Sequence, residues 1–539
     1  MPLLSPHLPG GSQRPPPPGF QGDWLKGSAA AEAASRISGP FRTRPFAYAS
    51  PRDLEDLSRL VAYSREEGIS LVPRGAGTGM PGGNLGPGIV VDLASSFSSI
   101  HPLQGHTLRV GAGAVAGTVD QEARNVGLHL PPLPSSARWC SIGGMAANNA
   151  AGARSFGHGP MASWVVGLEG LDAEGRPFRL GSAMGPGDDT LQDLPRGSGP
   201  FTSLEEALAP SLPWELAPDP GRRLPDWPRV RKNASGYALD RYGASRDPVQ
   251  LLVGSEGTLA LLTGVTLRLT PVPIQRGLHI LPMDTPETVS AAALEARELG
   301  AVACEFLGRR FLEIAGLEQH PELGDLARGA WALLFLEFEG DRDDVEAGLA
   351  AARSLGRSLS GEGMGTLDPE QAQALWSVRH AASPVIAARA SEGLLSTQFI
   401  EDSVVPPEEL GRYLRGLEEI LARNRFDAVI FGHAGDGNVH VNPLVDVGSA
   451  DWLPRVRGTL EAVVELVAEL GGTLSGEHGD GRLRAPFLER IWGDAALAAF
   501  RRVKEHFDPD GRLNPGVILP VEGQDPLEDL HPRPRSWPV

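Results

Sequence analysis

Residues 73–88 read PRGAGTGMPGGNLGPG, and seven of the sixteen are glycine. Glycine takes positive φ freely and lets a backbone approach a ligand with no Cβ in the way. The run Pro73-Arg74-Gly75-Ala76-Gly77-Thr78-Gly79 therefore reads as a loop whose N–H groups face an anion, with a diphosphate as the obvious candidate. An apolar run, Ile69 to Val72, precedes the loop. Pro81, Gly82, Gly83 and Pro87 come after it in place of a helix start, and no acidic residue stands where a ribose would need one, which argues against a Rossmann site. The Gly-Lys-Ser/Thr ending of a nucleotide-triphosphate loop is missing as well. Taken alone, a glycine-rich loop after a strand is equally a structural turn. Its companions decide between the two.

The chain has 539 residues, enough for several domains and a large core, with 41% hydrophobic and 22% charged residues. Its formal charge of -18 argues against nucleic acid or an anionic membrane surface as partner. The N-terminus has neither a basic start nor an uninterrupted apolar core, and no apolar run reaches the ~20 residues that span a bilayer. The reading is a cytoplasmic protein with no membrane span. Two cysteines, Cys140 and Cys304, are too few for a disulfide framework or an iron–sulfur cluster.

Residues 1–22 are Pro- and Gly-rich and are expected to be disordered. Ser50-Pro51 is expected to open a helix that places Leu54, Leu57, Leu60 and Val61 on one face and ends at Gly68. Ile89–Leu93 and Thr107–Val110 read as strands, Val119–Val126 as a short helix. The stretch 134–159 holds Pro134, Ser135, Ser141, Ile142, Gly143, Gly144, Asn148, Asn149 and Gly152 with almost no large side chains, as suits a second wall against a flat cofactor or close helix packing. A hairpin is expected over Trp164–Leu180, turning at Asp172–Gly175, and 185–230 reads as an inserted surface loop. Gly254-Ser255-Glu256-Gly257-Thr258 precedes a strand that stops before Pro271, and a domain boundary falls near 272.

From 277 to about 500 the pattern alternates strands, near 277–281, 301–306, 332–338, 397–402, 428–432 and 438–442, with amphipathic helices, as in an α+β domain with an antiparallel sheet. Residues 431–442 read FGHAGDGNVHVN, and 475–481 read SGEHGDG. Two histidines and a glutamate in such surroundings fit a metal site with three protein ligands and open positions for substrate. His433 and His440 are expected on two strands joined by Gly435-Asp436-Gly437, with Asp436 and Asp480 forming turns.

These ingredients in this order resemble flavoproteins of the vanillyl-alcohol oxidase/p-cresol methylhydroxylase (PCMH) fold. Within them the match is to FAD-linked D-2-hydroxyacid dehydrogenases, such as D-lactate and D-2-hydroxyglutarate dehydrogenases and the flavin subunit of glycolate oxidase, over residues 40–520. The resemblance implies an α+β fold: a two-lobed FAD-binding domain over 40–272, a ferredoxin-like cap over 273–500, a segment 501–520 returning to the flavin, and a tail 521–539. It implies FAD along the glycine loop and the Ser141–Gly152 wall, with Gly254, Glu256, Gly257 and Asn514 nearby. Covalent members often carry a histidine in the first loop, where this chain has Thr78, so non-covalent FAD is expected; Cys140 reads as a buried small hydrophobe.

The same resemblance assigns a divalent metal, zinc ahead of manganese or iron, to His433, His440 and Glu477, with His478 as general base. Arg379 stands where the family carries its substrate arginine, and Asn442 is placed to orient the substrate. The implied reaction oxidises a small D-2-hydroxyacid to the 2-oxoacid by hydride transfer to flavin. An alcohol, sugar or ether-lipid flavoenzyme and a non-catalytic flavin-binding subunit are the alternatives. Several members have a lysine where this chain has Ile400-Glu401, and relatives with Gly-Glu-His-Gly-Asp-Gly often continue into an iron–sulfur domain, whereas this sequence stops at Val539. A separate acceptor, an iron–sulfur protein or a quinone-linked one, is therefore expected.

Overall fold

The computed structural model describes residues 14–181, 199–208, 227–315, 317, 320–380, 386 and 393–531. Two four-stranded sheets form the first half. In one, Ala47–Ser50, Ile89–Asp92 and Leu71–Arg74 run parallel and Asp23–Leu25 adds an antiparallel edge. The helix Leu54–Glu67 crosses over between two of these strands and buries Leu57, Leu60 and Val61 against them. Its start lies later than the Ser50-Pro51 signal suggests. Ser50 completes a strand, and Asp53 caps the helix by accepting from the Asp56 amide at 3.0 Å. Gly68, at φ +64°, closes it.

The second sheet is antiparallel, in the order Thr107–Gly111, Leu261–Arg268, Val165–Leu171, Pro177–Gly181. The hairpin turns at Asp172–Gly175 as expected, with Asp172 Oδ1 accepting from Glu174 N and Arg176 N at 2.9 Å each. The helix expected at Val119 begins earlier and runs Ala116–Arg124.

The second half is built on an eight-stranded antiparallel sheet. Four of its strands, Met364–Thr366, Gln275–Met283, Ala332–Gly340 and Ala303–Gly308, lie side by side in that order. With the helices Pro286–Glu298 and Arg342–Leu359 they make the split βαβ arrangement of a ferredoxin-like fold. Asp427–His433 then pairs Asn438–Asp446, so the sheet extends toward the histidines. The strand expected at 397–402 is absent: Leu394–Ser396 and Ser403–Val404 flank a turn there, and Asp402 faces the 475–478 loop instead of a ladder.

After the helix Leu488–Phe507 the chain returns to the glycine loop, where Asn514 N donates to Leu71 O at 2.8 Å. Residues 521–531 are not the loose tail expected, because Leu527 and Leu530 are buried and Leu530 bridges Phe41. At the other end, Gln21 N reaches Asp56 Oδ1 at 2.9 Å, so the order extends into the segment expected to be disordered, of which residues 1–13 lie outside the described residues. Of the 185–230 stretch, 199–208 includes a short helix with Leu204 and Leu208 buried, while 182–198 and 209–226 lie outside the described residues. Among the described residues no helix is long and apolar enough to cross a membrane.

Candidate active site

Between the two sheets of the first half lies a cleft open to solvent. One wall is Pro73–Gly79, which leaves the strand Leu71–Arg74; Gly77 there sits at φ +78°. None of the backbone N–H groups from Gly75 to Gly79 meets an acceptor among the described residues, so the loop presents a row of free donors. The facing wall is the helix Ile142–Ala147 with its caps: Gly143 and Gly144 of the first turn and the C-cap Asn148 line the cleft, and Ser141 caps Gly144 N at 3.3 Å. At Gly75 a Cβ would stand 2.3 Å from Ser141 Oγ, so a side chain there would push the Ser141 hydroxyl off its cap. Unpaired amide donors beside glycine-lined walls fit the phosphates and flat ring of FAD.

Glu256 and Gly257 complete the lining. Glu256 holds φ +50°, and its carboxylate accepts from Asp480 N at 2.6 Å and Gly481 N at 3.0 Å. Burial and the Asp480 charge push its pKa up. Asp480, expected to be a turn-former, is fully buried and accepts from Gly236 N at 2.7 Å.

The remaining residues expected at the cofactor stand behind these walls. Asn514 donates to Gly83 O and Glu256 O, both at 2.8 Å. Asn149 bonds Asn233 O and Ala162 N, Gly254 N bonds Ala146 O, and Ile142 is in the core. Gly152 packs on Leu133, Pro134 closes a turn with Ala137, and Ser135 is exposed. Cys140 is buried, as expected.

His433, His440 and Glu477 converge, their ligand atoms all within 4.8 Å of one another. Glu477 Oε1 lies 3.3 Å from His433 Nε2, 3.2 Å from His440 Nε2 and 3.6 Å from His478 Nε2. The two histidines sit at the facing ends of paired strands, joined through Ala434–Asp436 and Gly437 at φ +68°. Each uses Nδ1 elsewhere: His433 on Glu305, His440 on the Glu401 carbonyl at 2.9 Å. Those contacts fix the rings so that both Nε2 atoms face Glu477, the outer-shell pattern of metal-ligating histidine, and the donor set fits a divalent cation. Burial opposes a charge on His440, but its bonds to Glu401 and Glu477 outweigh that and raise its pKa to about 10. Burial likewise opposes ionisation of Glu305, yet His433 and Arg379 hold it down at about 2.

His478 lines the cleft together with the glycine loop, and Asn148 Nδ2 holds its carbonyl at 3.0 Å. Its Nδ1 lies 2.7 Å from Glu401 Oε2, and Arg484 holds the other oxygen of Glu401. Burial works against protonation of His478, but Glu401 and Asp402 prevail and raise its pKa. Asp402 anchors the loop: its Oδ2 accepts from Gly476 N, Glu477 N and His478 N at 2.9–3.1 Å and from Ser475 Oγ at 3.0 Å.

Arg379 is buried with its Nε 3.0 Å from Glu305 Oε2, one residue removed from His433, and its guanidinium lies over Phe431. Its terminal nitrogens have no acceptor among the described residues. Asn442 is buried beside Ser396, whose Oγ donates to it at 3.1 Å. Sequence reasoning missed Glu305, Lys232, Asp402 and Arg484, and noted Glu401 only as a departure from relatives. For Glu305 there was a signal, a lone charge inside the apolar strand Ala303–Gly308. For Lys232 there was none.

A model of the FAD binding domain matches residues 45–181, and one of the FAD linked oxidases, C-terminal domain, matches residues 273–518. The chain carries an FAD-binding domain and the C-terminal domain of FAD-linked oxidases. The chain is 28% identical over 488 residues to the glycolate oxidase subunit GlcD of Bacillus subtilis, covering 89% of this chain and 90% of that one. It is 29% identical over 485 residues to D-lactate dehydrogenase of Archaeoglobus fulgidus, covering 89% and 93%. Against D-2-hydroxyglutarate dehydrogenase of Escherichia coli it is 27% identical, over 94% of this chain but only 51% of that protein. A solved structure of p-cresol methylhydroxylase shares the fold, with TM-score 0.67 at 13% identity over 93% of this chain and 95% of that one. Most of the cleft lining, from Pro73 to Asn148, falls in the stretch matched by the FAD binding domain model, and His478, in the stretch matched by the C-terminal domain model, lines it as well.

Proposed function

We propose that the protein is an FAD-dependent dehydrogenase that oxidises a small D-2-hydroxyacid to the 2-oxoacid. The observation that carries this reading is His478, which shares a cleft with the unpaired amides of the glycine loop while its Nε2 faces Glu477 in the His433/His440/Glu477 cluster. When bound, non-covalent FAD supplies a two-electron acceptor for the C2 hydride, and a divalent metal, zinc ahead of manganese or iron for two imidazoles and a carboxylate, supplies a Lewis acid. His433, His440 and Glu477 would hold the metal.

His478 donates its Nδ1–H to Glu401, which leaves Nε2 as the proton acceptor for the substrate hydroxyl. Arg379, whose terminal nitrogens have no acceptor among the described residues, meets the substrate carboxylate as a fork-shaped donor, and Asn442 orients the hydroxyacid. With only two cysteines, both buried, the chain binds no four-thiolate cluster, and a separate iron–sulfur or quinone-linked acceptor reoxidises the flavin. The relatives named for D-lactate, glycolate and D-2-hydroxyglutarate support the substrate class.

The test is a panel of glycolate, both lactate enantiomers and both 2-hydroxyglutarate enantiomers with a dye acceptor, before and after chelator dialysis. Turnover of one D-enantiomer or of glycolate, lost on chelation and restored by added metal with the flavin spectrum intact, is the expected result. Protein purified without flavin refutes the reading, and chelator-insensitive oxidation of an alcohol or sugar replaces it with a metal-free flavoenzyme.

A further inference from the structure

Lys232 is 4% exposed, and its Nζ lies 2.6 Å from Glu477 Oε2. It falls between the two matched stretches, 45–181 and 273–518. The segment carrying it is held on three sides: Asn149 Nδ2 donates to Asn233 O at 3.1 Å, Ala234 N to Ser475 O at 3.0 Å, and Gly236 N to Asp480 Oδ2 at 2.7 Å. The ammonium is thus delivered to Glu477 by backbone that also touches the cofactor wall and the 475–480 loop.

The partners of Glu477 divide cleanly between its two oxygens. Oε1 faces the three imidazoles, and Oε2 is taken by Lys232. Neighbouring carboxylates have other cations: Glu305 is paired with Arg379, Glu401 with Arg484. A carboxylate that turned both oxygens to a cation would have to release Lys232 into an interior where a lone charge is costly.

We propose that Lys232 is a positioning residue for the metal centre, holding Glu477 so that it offers one oxygen to a divalent cation at His433 and His440. The proposal rests on the metal reading above. Two effects oppose each other. An ammonium repels a nearby dication, whereas its directional bond keeps the ligand oxygen in place. Outer-shell partners of metal ligands typically change affinity about 10–100-fold in the favourable direction, so the bond is taken to win.

The experiment compares full-length flavin-loaded wild type, Lys232→Arg and Lys232→Met. Each is stripped of metal by chelator dialysis and titrated with Zn²⁺ against a chromophoric chelator, with flavin absorbance and Tm as folding controls. Lys232→Met is expected to bind Zn²⁺ about 10–100-fold more weakly, and Lys232→Arg, which keeps a donor, to recover most of the loss. Unchanged or tighter Zn²⁺ binding by folded Lys232→Met overturns the proposal. Should that variant lose its flavin, Lys232→Ala, which also has no donor, takes its place, and wild-type affinity there overturns the proposal equally. Wild type that binds no divalent cation overturns this proposal and the metal reading together; wild-type binding with an indifferent Lys232→Met overturns this proposal alone.

Discussion

Glu401→Gln isolates the arrangement that makes His478 a base. In the native site the two oxygens of Glu401 both face donors, His478 Nδ1–H at 2.7 Å and the Arg484 guanidinium. A glutamine has one oxygen and one NH2, so whichever way the amide turns, one of those donors meets another donor. Arg484 is buried and can neither lose a proton nor leave, so it claims the oxygen, and the NH2 turns to His478. The imidazole must then accept at Nδ1 and carry its proton on Nε2, the tautomer that cannot take a proton from substrate.

The lost bond is charge-assisted, about 1.5–3 kcal/mol, which corresponds to a flavin reduction rate about 10–150-fold slower. The assay is anaerobic stopped-flow bleaching of the flavin in a single turnover, run well below Tm because the weakened Arg484 pair also costs stability. A second signature separates this from general damage. The Glu401 charge raises the His478 pKa, so its removal moves the acid limb of the rate profile to lower pH. Flavin reduction within twofold of wild type, with an unmoved acid limb, refutes the reasoning.

Two more outcomes are expected from the same structure. Gly77 holds φ +78°, where a Cβ would also stand 2.6 Å from Arg74 Nη2 and 3.0 Å from Arg36 O, so Gly77→Ala is expected to distort the loop. At about 1–2 kcal/mol for an L-residue in that region, FAD titrated into deflavinated protein should bind about tenfold more weakly, and an unchanged Kd would refute the assigned loop. His129 is buried, its Nε2 has no partner among the described residues, and burial, then Arg276 and Arg124, hold its pKa at about 4. Because the unfolded imidazole titrates near 6.5, the unfolded chain gains the proton first. Stability present above about pH 6.5 is then lost as pH falls toward 4, by at most about 3 kcal/mol. Thermal melts of wild type against His129→Gln should converge in relative terms over that window, and parallel curves would contradict the assignment.

Much of the frame was legible before any coordinates. The glycine loop, the hairpin turning at Asp172–Gly175 and the paired strands carrying His433 and His440 are local matters, decided by φ preferences, turn chemistry and alternating burial within a few residues. Errors arose where a distant contact outweighed the local signal. The strand expected at 397–402 fails because Asp402 bonds backbone amides 74–76 residues away, and Ser50 caps nothing because it is already in a sheet.

The sequence by itself determined which chemistry is present: amide donors on glycine, two imidazoles and a carboxylate in small-residue surroundings, and a third imidazole beside them. Only the tertiary structure decided how those groups are tuned, because their partners are charges brought in from afar: Glu305 at 128 residues from His433, Lys232 at 245 from Glu477, Glu401 at 77 from His478. A charge inside a protein is tolerated where its counter-charge lies in space, and spacing along the chain carries no record of that.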